Sequence, residues 1–232
     1  MNTSTSGRPK AVVAWSSGKD AAFALHRVRT EGVLDVVGLL TTVTAPYDRV
    51  SMHGVRREIL RAQARATGLD VHEVEIPAPC PNAVYEEKMG AAVAQLRARG
   101  VTRIVFGDLF LEDVRAYRER QLDGTGLEPV FPLWGEDTRR LAREMIDAGI
   151  VAYVVTLDPG KVPRTLAGAR FDAAFLDALP ADVDPCGERG EFHTCVVDGP
   201  MFRAKVPVRP GAVVERDGFV FADLEPVEAG PP

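Results

Sequence analysis

The chain has 232 residues, of which 46% are hydrophobic and 26% charged, with a formal net charge of −5. That length can bury one large core, or a medium core with a smaller companion, and the composition is that of a soluble globular protein. The acidic balance argues against a broad nucleic-acid-binding surface, and no run approaches the ~18 apolar residues of a membrane span.

The opening MNTSTSGRPK is polar and lacks the apolar core of a signal peptide. Cys80, Cys186 and Cys195 are odd in number, widely spaced and free of any CxxC pair, so they read as reduced thiols of a cytoplasmic protein. Of the 28 basic residues 23 are arginine, a coding bias that points to a GC-rich bacterial genome.

The first half alternates. Residues 11–15 (AVVAW) read as a buried strand and 19–31 as a helix. Residues 34–41 are a second strand and 54–67 an Arg-rich amphipathic helix. VHEVEI at 71–76 alternates with period two, like a strand with one wetter face. A long helix spans 82–99, capped by Asn82 and closed by Gly100, and RIVFG at 103–107 is the next strand. Strand–helix alternation implies right-handed crossovers and a mostly parallel sheet, with ligands beyond the carboxyl ends of its strands.

The character changes after about residue 125. LDGTGLEP is a turn-rich joint, followed by VFPLW, a helix near 136–148 and a strong buried strand at 150–157. A short helix near 171–178 leads to DPCGERGEFHTCVVDGP. The end reads as antiparallel strands, CVVD, FRAKVPV and VVERDGFVFADL, with Asp217-Gly218 as a type I′ hairpin turn and EPVEAGPP as a disordered tail. The expectation is an α/β protein. A Rossmann-like, parallel-sheet domain would span 1–125 and a smaller α+β domain 126–232, leaving homo-oligomerisation open.

The stretch Ser16-Ser17-Gly18-Lys19-Asp20 follows the first strand and opens the first helix. It is not a GxxxxGK[ST] loop, because Val13 stands where the first glycine would be and Asp20 where Ser or Thr would be. A hydroxyl–glycine turn at a helix start still offers backbone N–H groups and the positive end of the helix dipole to an anion. Gly18 permits close approach of the backbone, and Lys19 adds a mobile charge. The plain alternative is that Ser17 or Asp20 merely caps the helix.

The loop resembles the SGGKD or SSGKD loop of the PP-loop ATP pyrophosphatases. Three further blocks, FGDLFLEDVRAYRE at 106–119, PLWG at 132–135 and GERGEFHT at 187–194, extend the resemblance to the diphthine–ammonia ligase family from about residue 11 to about 200. That resemblance implies an adenine-nucleotide-hydrolase-like domain paired with a smaller domain across a cleft. It also implies a reaction in which ATP adenylates a carboxylate, pyrophosphate leaves and ammonia forms the amide. By the same resemblance Ser16, Ser17, Gly18, Lys19 and Asp20 would hold the ATP phosphates. Many PP-loops have Gly at the position of Ser17 and Ser or Thr at that of Ala21. In a bacterial member the acceptor would be a small carboxylic acid.

Other residues join this set. Gly107-Asp108 ends a strand on the ligand rim, where the carboxylate can hold Mg²⁺ against the phosphates, or simply cap the helix near Leu111. Arg115 and Arg118, three apart on that helix, can bind an acidic substrate or leaving pyrophosphate, or form a solvated face. Glu188, Glu191, His193 and Thr194 fall within seven residues, between turn-forming glycines. Two carboxylates and an imidazole so close can orient ammonia, take a proton or join a metal shell. A zinc site from Cys186, His193 and Cys195 lacks the usual four-ligand spacing. Thr41, Thr42 and His53, at the end of the second strand and beyond it, are candidates for the adenosine pocket. Strand propensity and helix capping are their alternatives. Trp134 reads as a joint core residue, and His26 and His72 as surface or packing residues. Two other classes remain open: a PP-loop RNA-modifying enzyme and a non-catalytic nucleotide-binding protein.

Overall fold

A computed structural model describes residues 7–227. The first half lays down β1 (Lys10–Ala14), α1 (Lys19–Glu31), β2 (Asp35–Thr44), β3 (Arg49–Val50), α2 (Arg57–Thr67) and β4 (Val71–Ile76). It continues with α3 (Asn82–Ala98), β5 (Arg103–Val105), α4 (Glu112–Leu122) and β6 (Glu128–Val130). These strands form one sheet. β4, β2, β1, β5 and β6 run parallel, and the two-residue β3 pairs antiparallel with the last residues of β2.

The chain then forms α5 (Thr138–Asp147), β7 (Val151–Leu157), α6 (Ala173–Ala178), β8 (Phe192–Asp198), β9 (Val208–Arg216) and β10 (Phe219–Pro226). Their four-stranded sheet has the order β8-β7-β10-β9 and is antiparallel throughout. The fold is therefore α/β, a Rossmann-like parallel sheet joined to a smaller α+β part. The turn-rich LDGTGLEP segment runs from the last residue of α4 into β6, and the change of sheet falls between Val130 and Val151.

The position of α1 explains its composition. AAFAL reads as too apolar for a surface helix, and Ala21 through Leu25 are all buried. This helix packs against β1 on one side and β8 on the other. Alanines let both sheets approach, and the apolar side chains of the two halves merge into a single core around it. α2 is amphipathic as expected. It buries Ile59, Leu60 and Gln63 and turns Arg57 and Arg61 out to Glu73 on the wetter face of β4. A second apolar cluster, with Val74, Ile76, Val93 and Phe106, fills the other face of the parallel sheet under α3.

Several local expectations shift. Asn82 is the first helical residue of α3 rather than its cap. Pro81 takes the cap position, since its missing N–H costs nothing there. Gly100 does follow the helix with a left-handed φ of 81°. FRAKVPV forms no strand until Val208, and its backbone instead reaches sideways, with Arg203 N–H donating to Ala66 O. Asp217 and Gly218 both have positive φ, as a type I′ turn requires. Of the predicted tail, Glu225 and Pro226 end β10, while residues 228–232 lie outside the described residues.

Candidate functional site

β1 ends at Ala14 because the chain must turn sharply into α1. Ser17 makes that turn with φ 70°, a left-handed conformation costing a non-glycine residue about 1 kcal/mol or more. Gly18 occupies the N-cap position without any side-chain cap bond, so neither Ser17 nor Asp20 caps α1. The Ser16 hydroxyl accepts the Gly18 N–H at 3.3 Å, and Ser17 Oγ is buried without a hydrogen-bond partner. The loop is braced from below by Gln63, which is fully buried. Its amide receives the Trp15 indole N–H at 3.0 Å and donates to Ser17 O and Val196 O at 3.2 and 2.7 Å.

The antiparallel sheet completes the turn. Val196 N–H donates to Ser17 O at 2.9 Å, and Thr194 Oγ1 accepts the Lys19 N–H at 3.1 Å. His53 lies over Gly18, where a Cβ would come within 2.8 Å of its ring and have to push it aside. Its Nδ1 is 3.2 Å from Thr194 O, and Thr156 Oγ1 donates to its carbonyl at 3.0 Å. His53 and His193 stack with ring centroids 4.5 Å apart. Burial is the main reason both imidazoles are held neutral: His53 lies well below the usual histidine range and His193 is pushed down to about 4. The Lys19 ammonium adds to the effect at each.

Lys19 is not the mobile charge expected from its place in the loop. It is 2% exposed. Its ammonium donates to both Asp20 oxygens, at 2.9 and 3.0 Å, and to Cys186 O, and it faces the rings of Phe171 and Phe192 at 5.3 and 5.4 Å. Burial disfavours the charged form, but the Asp20 carboxylate outweighs it and holds the ammonium protonated. The side chain thereby ties the start of α1 to the loop before β8.

That loop, the GERGEFHT block, divides its acids. Glu191 is 3% exposed and accepts the N–H groups of Arg189 and Asp184 at 2.9 and 3.4 Å, so it shapes the loop. Glu188 reaches the other way. Its Oε1 accepts the Leu109 N–H at 2.8 Å, and burial pushes its carboxyl up to about 7. Gly187 has φ 72° and sits where a Cβ would meet Phe192 O at 2.7 Å.

Beyond β5, Gly107 brings the chain onto the first turn of α1, since a Cβ there would lie 2.8 Å from the Asp20 carbonyl carbon. Asp108 follows. It does not cap α4, whose N-cap position is Leu111. Its Oδ2 forms an ion pair with Arg118 Nε at 3.5 Å, and neither buried atom has a closer hydrogen-bond partner. Burial raises the Asp108 carboxyl despite Arg118. Arg115 and Arg118 do not act as a fork. Arg115 stacks over Phe131 and Trp134, at 5.0 and 4.7 Å, while Arg118 lies over Phe106 at 5.1 Å.

These parts enclose a cavity of about 640 Å³ at the carboxyl ends of the parallel strands. Of the sequence-derived candidates, Ser16, Lys19, Asp20, Thr41, Thr42, His53, Gly107, Asp108, Arg118, Glu188, His193 and Thr194 line it. Ser17, Gly18, Arg115 and Glu191 stand behind or beside it. Cys186, His193 and Cys195 do not converge, and no group of three His, Cys, Asp or Glu side chains suited to a metal gathers among the described residues. Sequence reasoning missed Gln63, although a glutamine on the apolar stripe of an amphipathic helix signals a buried amide. No described helix is long and apolar enough to cross a membrane.

Comparison with known proteins agrees with this architecture. Residues 9–129 match the family model of the diphthamide synthase N-terminal domain, and residues 137–221 that of its C-terminal domain. The human protein named diphthine–ammonia ligase is 32% identical over 105 residues, 42% of this chain and 39% of that protein. The bovine protein of that name is 29% identical over 129 residues, 53% and 48%. Its Schizosaccharomyces pombe counterpart is 30% identical over 95 residues, 39% and 16%. The chain thus spans under half the length of these relatives. With both halves of the fold matched in order, the chain belongs to the diphthamide synthase family.

Proposed function

We propose that this protein is an ATP-dependent ligase that activates a carboxylate as its acyl-adenylate, releases pyrophosphate and forms an amide with ammonia. One observation carries the reading. The start of α1, opened by a left-handed serine and a glycine packed under the His53 ring, faces a cavity where Asp108, Glu188 and His193 also converge. A helix N-terminus with close backbone approach suits a polyphosphate. The named relatives, diphthine–ammonia ligases, make ligation the reaction class to expect.

In this reading Ser16, Ser17, Gly18, Lys19 and Asp20 form the phosphate cradle, and the loop N–H groups stabilise charge developing on pyrophosphate. Lys19 holds the cradle against the loop before β8 and contributes its positive field from behind. Thr41, Thr42 and His53 border the nucleoside. Asp108 is the group that would hold Mg²⁺, because its carboxylate lines the cavity beside the cradle and its buried Oδ2 is paired only with Arg118, at 3.5 Å. Such an ion takes one or two carboxylates and draws its other ligands from phosphate and water. Glu188, with its raised carboxyl, and neutral His193 are placed to accept a proton from the incoming amine. Thr194 and Glu191 keep the first turn and the loop in register.

The products of ATP decide the matter. Purified protein with Mg-ATP, ammonium and a metabolite extract is expected to yield AMP and pyrophosphate, and the isosteric variant Asp108→Asn to lose that turnover while unfolding at a similar temperature. ADP and phosphate would overturn the reading.

A further inference from the structure

The cavity is two-sided, and the phosphate cradle with its nucleoside border accounts for only one half. The other half lies between α3 and α4. Tyr85, Met89 and Val93 recur every fourth residue and so share one face of α3, and all three line the cavity. Val114 and Tyr117 line it from α4, and Phe106 from the end of β5. At the outer end Gln121 donates to Glu86 at 3.3 Å, a bond that ties α4 to α3. Next to the cradle Arg118 lines the cavity, held over the Phe106 ring, with its Nε paired to Asp108 Oδ2 at 3.5 Å.

Adenine suits this chamber poorly. Its edge carries hydrogen-bonding groups that must be matched when buried, and the walls here are chiefly apolar. The border near Thr41, Thr42 and Ser51 offers hydroxyls instead. An apolar body with a single anionic end matches the chamber: the walls take the body and the guanidinium takes a carboxylate.

Resting on the ligase reading above, we propose that the chamber between α3 and α4 is the acceptor subsite. It takes a small monocarboxylate with an apolar body about the size of an aromatic ring, anchored on Arg118 and delivered beside the phosphate cradle. Gly90 supplies a clean means of blocking it. It lines the cavity from α3, and a Cβ there would meet nothing within 4 Å. Replacing a glycine inside a helix also favours folding.

The test is titration calorimetry on the full chain saturated with a non-hydrolysable ATP analogue, using phenylacetate as probe and acetate and benzyl alcohol as controls. Phenylacetate is expected to bind at least tenfold tighter than either control. Gly90→Leu should weaken phenylacetate at least tenfold and leave the ATP analogue within twofold. Arg118→Met should erase the preference for phenylacetate over benzyl alcohol. If the ATP analogue binds but phenylacetate does no better than acetate, the subsite is refuted and the nucleotide reading stands. If phenylacetate competes with the analogue, or Gly90→Leu weakens the analogue equally, the chamber is the adenine pocket and the proposal falls. If the ATP analogue itself fails to bind, the ligase reading fails first and takes the proposal with it.

Discussion

Protonating the histidine pair should weaken the fold, and His193 allows the size of the effect to be worked out. Its imidazole is held down to about 4 in the folded protein against 6.5 when solvated, burial being the main cause. A histidine whose folded value is depressed stabilises the fold above its unfolded value, and that contribution is lost as the pH falls from 6.5 through 4. Between pH 7.5 and pH 5 the linkage amounts to about 2 kcal/mol, and solvent at the cavity mouth trims this toward about 1 kcal/mol. With a urea m-value of about 3 kcal/mol per M, the midpoint should fall by about 0.3–0.7 M on account of this residue. The assay is urea unfolding at both pH values for the wild type and His193→Gln, which is neutral throughout. Subtracting the variant removes every other titrating group that it leaves undisturbed. The variant should gain on the wild type by about 1–2 kcal/mol at pH 5 relative to pH 7.5. A constant gap between the two proteins would refute the reasoning, because burial of a neutral imidazole would then not be what the fold depends on.

Glu188 behaves oppositely. Its carboxyl is raised to about 7, so the stability present below its ordinary value of 4.5 is lost as the pH rises through 7. Glu188→Gln should flatten that loss in a melting series from pH 5 to 8, and an unchanged slope would count against the assignment. Gln63→Leu leaves the Trp15 N–H and the Ser17 and Val196 carbonyls without the amide. It should lower unfolding free energy by about 3 kcal/mol and weaken ATP binding, checked by denaturation and calorimetry. Gly107→Ala forces a methyl against the backbone of Asp20. It should cost about 1–3 kcal/mol and reduce ATP affinity at least tenfold, whereas a silent substitution would mean the two backbones part freely. Ser17→Gly relieves the left-handed serine and its unpartnered hydroxyl. It should raise stability by about 1 kcal/mol, read as a higher urea midpoint.

Local periodicity made the parallel half legible in advance. Val12-Val13, the alternation of VHEVEI, the apolar stripe of α2 and the glycine after α3 each encode an element through contacts only a few residues apart. The strand–turn–helix context of SSGKD placed that loop and Gly107-Asp108 on one rim, because parallel strands bring their carboxyl ends together. Dipeptide chemistry likewise marked the Asp217-Gly218 hairpin. Tertiary structure alone decided where the charged side chains went. Lys19 turned inward because Asp20, the Cys186 carbonyl and two aromatic rings surround it, and those partners lie up to 173 residues away in sequence. Arg115 and Arg118 parted because each found a different aromatic face. Glu188 and Glu191 took different tasks according to which backbone N–H groups lay within reach. Long polar side chains have many rotamers of similar energy, so sequence spacing cannot choose among them. The choice follows from burial and from the partners that distant segments bring to the same place.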